Sequence, residues 1–213
     1  WTVLASAFIS FCILLIAIPT GVWQFINTSD VIQEVSVTPI SGTVFLTRPS
    51  SSLQGVVETI GDIEETSLID SDANSQGTIA FYSPDKKTQL GTMQLYGNTR
   101  VTLAEMRSPR FEVWNPHPHQ MIVDLPRGRA RVNLNGGIPR AILFVIRTGT
   151  STIQLNRGGS YSIEVTEQSV EVIVRDGSAS ISANGSTVAL DSGQRALART
   201  GLPPQRTTTG ERN

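Results

Sequence analysis

Residues 2–26 contain no Asp, Glu, Lys or Arg, and Leu, Ile, Val, Phe and Ala dominate the run. As a helix this stretch is roughly 35 Å long, against a bilayer hydrocarbon core of about 30 Å. Trp1 and Trp23 then lie roughly 33 Å apart along the axis, one near each membrane–water boundary, where indole rings prefer to sit. Pro19 falls near the far end, where a loosened turn costs least. A secretory leader has a shorter apolar region, about 7–15 residues, followed by a small-residue cleavage site. No such site follows cleanly here, and a buried core helix would have to be apolar on every face. Residues 1–27 are therefore predicted to span a membrane once.

The flank sets an expected orientation. Asp30 and Glu34 follow the helix, and the first basic residue after it is Arg48. Cytoplasmic flanks carry Lys or Arg close to the helix end. The remainder of the chain is thus expected on the extracytoplasmic (periplasmic) side of the cell membrane.

Beyond the helix the pattern switches to period-two alternation. Val35-Ser36-Val37, residues 42–46, 77–81, 90–95 and 98–103 read as strands, and 111–114 as one more. The second half continues with 121–125, 129–134, 141–148, 151–155, 160–165, 170–174, 179–183 and 187–190. Gly-containing turns separate these, and Asn184-Gly185 has the composition of a type I′ hairpin, which needs positive φ at both central residues. The 18 glycines and 11 prolines suit such a turn-rich chain. The expected fold class is an all-β extracytoplasmic domain, as a sandwich, barrel or β-helix-like stack, after one N-terminal transmembrane helix. Its expected parts are a linker at 28–36 and the β domain at 37–200, with sub-modules about 37–114 and 120–200. A flexible tail follows at 201–213.

The turns and strands also carry a family likeness. Ser41-Gly42-Thr43-Val44, Ile60-Gly61-Asp62-Ile63 and Ser75-Gln76-Gly77-Thr78-Ile79 follow one another in the first half. Leu125-Pro126-Arg127-Gly128-Arg129-Ala130-Arg131-Val132, Ile146-Arg147-Thr148, Gly158-Gly159-Ser160-Tyr161, Val172-Ile173-Val174-Arg175-Asp176-Gly177 and Ser192-Gly193-Gln194 follow in the second. In this order and spacing, residues 35–200 resemble the FecR-like domain, the extracytoplasmic part of iron-dicitrate sensor proteins. The stretch 83–119 is longer and less regular than that family's middle section. The resemblance implies a domain that works by protein contact. It also implies, as one alternative, a sigma-factor-regulator-like signal relay, which requires a cytoplasmic segment upstream of Trp1.

Few residues suggest chemistry. His117-Pro118-His119 holds both histidines and, at i and i+2, offers two imidazoles to a metal, but without a third ligand it reads as an exposed Pro-rich turn. Residues 70–75 imitate the front of a calcium loop but place Ser75 where Gly belongs, so a polar turn is expected. Arg127, Arg129 and Arg131 recur with period two and would share one strand face, as a solvated surface or as a cationic stripe for a partner. Trp114 joins them as a candidate partner-binding residue. No nucleophile elbow or phosphate-binding Gly loop occurs. Cys12, the only cysteine, lies in the apolar run and excludes an internal disulfide, and a net charge of −1 gives no pull toward nucleic acid.

The expectation is a non-enzymatic chain without catalytic residues, cofactor or metal. Its partners would be membrane lipid and other membrane proteins. It would serve as an accessory or scaffolding subunit of a membrane complex, with Ala5, Ser6, Ala7 and Ser10 as a close-packing helix face.

Overall fold

The computed structural model describes residues 1–50, 54–56, 61, 63–156 and 158–207. Helix α1 (Thr2–Thr28) is long and apolar enough to cross a membrane. No residue of it is buried by the described part of the chain. Pro19 has no N–H to donate, and the Thr20 hydroxyl donates to the Ile16 and Ala17 carbonyls beside it.

A β domain follows directly. Its strands are β1 (Asp30–Ile32), β2 (Glu34–Ser41), β3 (Val44–Thr47), β4 (Gln54–Val56), β5 (Leu68–Ser71), β6 (Gln76–Tyr82), β7 (Gln89–Leu95), β8 (Arg100–Pro109) and β9 (His119–Leu134). They continue as β10 (Ile142–Arg147), β11 (Thr152–Leu155), β12 (Gly159–Val165), β13 (Ser169–Asp176), β14 (Ser178–Ala183), β15 (Ser186–Asp191), β16 (Arg195–Arg199) and β17 (Gln205–Thr207).

Their pairing defines two layers. One has the order β4-β3-β5-β8-β9-β10-β11-β14-β15, with β1 added to the far end of β8. The other runs β2-β6-β7-β9-β12-β13-β16-β17. The layers face each other: Phe81 of β6 meets Phe144 of β10 edge-on, with ring centroids 5.5 Å apart. Alternate residues of both sheets fill the space between them, among them Ile69, Leu103, Val123, Val132, Ile163 and Val172, all fully buried. Each such side chain contributes roughly 1.5–3 kcal/mol. Of the all-β architectures open to the sequence, the sandwich is the one observed.

Strand β9 is the axis. Its first half pairs with β8 and, in parallel, with β10. Its second half pairs with β7 and β12 in the opposite layer. Burial follows the crossing: Met121, Val123 and Leu125 point inward, then Ala130, Val132 and Leu134, so the phase slips by one residue. The slip occurs at Gly128, whose φ of +103° suits glycine. A Cβ there would lie 2.4 Å from Thr99 Cα. The sequence had suggested two strands separated by Arg127-Gly128; they are one strand bent between layers.

Three further differences from expectation concern connections. Residues 28–36, expected as a linker, hold the last residue of α1, all of β1 and the start of β2, with only Ser29 between helix and sheet. Residues 111–114 form a single turn and not a strand, because the Phe111 carbonyl accepts from the N–H groups of both Trp114 and Asn115. Within the expected tail, residues 205–207 pair with β16. The Asn184-Gly185 turn, by contrast, has φ of +48° and +74° and closes the two-residue β14–β15 hairpin. Part of the Gly61-Asp62 motif lies outside the described residues.

Candidate functional site

At the C-terminal end of α1 the last carbonyls need partners that the helix cannot supply. Local side chains serve some of them: Asn27 donates to Trp23 O at 2.9 Å, Thr28 to Gln24 O at 2.8 Å and Ser29 to Phe25 O at 2.6 Å. The next two are served from far along the chain. The buried Asn115 amide donates to Ile26 O at 3.2 Å and Asn27 O at 3.0 Å. Its own Oδ1 accepts from the His117 N–H at 2.9 Å.

The loop between β8 and β9 is fastened here at other points too. Arg110 N donates to Ser29 O at 2.9 Å, and Phe111 packs on Phe25 with centroids 5.8 Å apart. Arg140 donates to the carbonyls of Asn115, His117 and Glu112, tying the loop to the segment before β10. Val113 and Trp114 project from this fastened loop, 90% and 73% exposed.

Beneath it lies a polar cluster. Gln33 donates to Arg107 O at 2.6 Å and to Ser108 Oγ at 3.0 Å, and Ser108 Oγ lies 2.7 Å from His119 Nδ1. With the Ser108 lone pairs facing Gln33, its hydroxyl donates to a neutral His119. Burial, helped by the charge on Arg140, lowers the His119 pKa from 6.5 to about 4. Ser108 and His119 have the separation of a nucleophile and its base. Both are buried, however, at 0% and 4% exposure, and among the described residues no carboxylate hydrogen-bonds to the ring. The pair therefore braces the β8–β9 seam.

The two histidines do not act together. His117 is exposed and His119 is buried at the start of β9, which corrects the reading of the whole triplet as an exposed turn. Among the described residues no three His, Cys, Asp or Glu side chains are grouped to hold a metal. Asp70 of the calcium-like stretch instead accepts from both Nε, at 2.9 Å, and Nη2 of Arg100, with Arg127 at 3.8 Å on its other oxygen.

The three arginines of β9 face outward but do not form one even stripe. Arg127 pairs in register with Arg100 in the first layer, and Asp70 lies between their charges. Arg129 and Arg131 lie beyond the Gly128 bend, in the second layer. The Arg129 guanidinium stands 5.2 Å over the Tyr96 ring. Arg131 lies between Gln94 and Ser162, its buried Nε and the Ser162 hydroxyl both without a hydrogen-bond partner among the described residues. Trp114 is remote from them in the fold, on the loop that grips α1. Trp1 and Trp23 mark opposite parts of the helix, both exposed.

These features define a class: a β-sandwich led by a helix of membrane-spanning length and joined to it without free linker. No family model matches the chain, and no curated protein does. Among solved structures it is similar to two crystal structures, at 2.50 Å and 1.65 Å resolution, each of a “putative anti-sigma factor” from Parabacteroides distasonis. Identities are 17% and 15%, TM-scores 0.46 and 0.47, with 66% of this chain and 58% of that one covered in each case. The present chain thus matches a little over half the length of each of those chains.

Proposed function

We propose that α1 anchors the chain in a membrane and that the sandwich is a non-catalytic, FecR-like docking module of a larger membrane assembly. One observation carries this reading. Apart from Ile26 and the Phe25 contact at its last turn, the large apolar side chains of a 27-residue helix stand uncovered beside a β domain whose own core is complete without them. Left in water, that surface would drive aggregation; a bilayer covers it at once. The β body then offers outward sheet faces and loops to neighbours confined to the same membrane. Arg129 and Arg131, on one layer and without an ion-pair partner among the described residues, suit an acidic protein surface. The lack of Lys or Arg between α1 and Arg48 supports the extracytoplasmic side for the β body.

A second reading is favoured by the joint itself. A helix that enters β1 after one residue and is held by Asn115 and Phe111 would carry a displacement of the β body into the membrane, as a signal relay needs. Crosslinking in native membranes followed by mild-detergent purification of the full chain tests the main proposal. Another integral membrane protein should be joined to the Arg129–Arg131 face. Arg129→Gln/Arg131→Gln, which avoids setting a second carboxylate opposite Glu164, should lose it while the chain stays folded, with only a small shift of its unfolding transition from the lost Tyr96 contact. A chain that purifies alone, uncrosslinked, contradicts the docking role.

A further inference from the structure

Resting on the anchoring role of α1, we propose that the Phe111–Trp114 turn is a second membrane contact. It seats in the headgroup layer of the bilayer that α1 crosses and fixes the tilt of the sandwich on the membrane surface. If the hydrocarbon core takes about 20 residues of α1 from its start, residues 25–28 emerge into the interfacial layer. That is the height at which Phe111 packs on Phe25, Arg110 bonds Ser29, and Asn115 closes the carbonyls of Ile26 and Asn27. The loop is therefore held at the membrane boundary by contacts within the chain, before any lipid is considered.

The loop's composition fits that position. Val113 and Trp114, adjacent and uncovered, form the apolar tip, and Trp favours the headgroup region, where its ring meets acyl chains and its N–H stays wet. Arg110 supplies a cation at the same height, suited to lipid phosphate. The three carbonyls held by Arg140 keep the turn from folding back onto the sheet. Trp23 of α1 and Trp114 would thus be two interfacial anchors at one boundary, from residues 91 positions apart in sequence.

The test uses the full chain with Trp1→Phe and Trp23→Phe, leaving Trp114 as the only indole, in vesicles of phosphatidylcholine with a minority of phosphatidylglycerol. Flotation first reports whether α1 is inserted. In floated protein, Trp114 emission should be blue-shifted relative to water, strongly quenched by headgroup-nitroxide lipid, and several-fold less sensitive to aqueous iodide than free tryptophan. Floated protein whose Trp114 remains iodide-accessible and unquenched by lipid overturns the second contact while leaving the anchor intact. Shielding from iodide without lipid quenching assigns the turn to a protein contact and also overturns it. Protein that does not float overturns the anchor, and the second contact with it.

Discussion

The side-chain amide of Asn115 lies 3.0 Å from the main-chain carbonyl of Asn27, joining two residues 88 positions apart at the point where helix gives way to sheet. The contact converts a helix end and a loop into one joint. Removing it should leave two carbonyls and the His117 N–H without their partner. Asn115→Ala is expected to destabilise the β domain by about 1–3 kcal/mol, the cost of stranding buried polar groups. It should also raise hydrogen exchange across 110–118 selectively, measured by mass spectrometry on the full chain in detergent micelles.

His119 gives the fold a pH dependence of defined sign. The folded chain keeps the ring neutral down to about pH 4, whereas an unfolded chain protonates it near 6.5. Between these values the unfolded state binds more protons, so stability is full above about 6.5 and falls as pH drops toward 4. The loss attributable to this ring is at most about 3 kcal/mol. Urea midpoints collected across this window should slope downward with acid, and His119→Gln should flatten the slope.

Asp70 separates two like charges. With Asp70→Asn, Arg100 and Arg127 face each other across neighbouring strands without a carboxylate between them. A loss of roughly 1–2 kcal/mol is expected. It should shrink in high salt, because the repulsion is screened. Adding Arg127→Gln should recover part of it, the coupling that a double-mutant cycle reads out.

Two glycines with positive φ should respond very differently to alanine. At Gly185, where nothing lies within 4 Å of an added Cβ, the cost is conformational, about 1 kcal/mol. At Gly128 the same substitution meets the Thr99 backbone at the point where β9 changes layers. A loss of more than about 3 kcal/mol, or failure to fold, is expected, compared by thermal melts of the two variants.

Alternation, glycine turns and the apolar run made the helix, most strands and the β14–β15 hairpin legible in the sequence, because each is a local pattern. β9 was read as two strands because a bulge looks like a turn when the partner strands are unknown. The short β1 and β17 carry too little pattern to register and exist through their neighbours, β8 and β16. The joint was invisible for the same reason. Asn115 sits in a Pro-rich breaker, and nothing local reveals that its amide meets the end of a helix 88 residues earlier. Trp114 was singled out, but not the loop geometry that sets it beside α1. The arginine stripe was read from spacing alone, which could not show Asp70 and Tyr96 already engaging two of its members.

The most direct test of the anchored architecture uses Cys12, the only cysteine of the chain. It lies about 17 Å along α1 from Trp1, near the middle of a bilayer core. In sealed vesicles holding the full chain, Cys12 should resist a membrane-impermeant maleimide applied to both faces and react fully once the protein is denatured in dodecyl sulfate. Rapid labelling in intact vesicles would contradict a membrane-spanning α1.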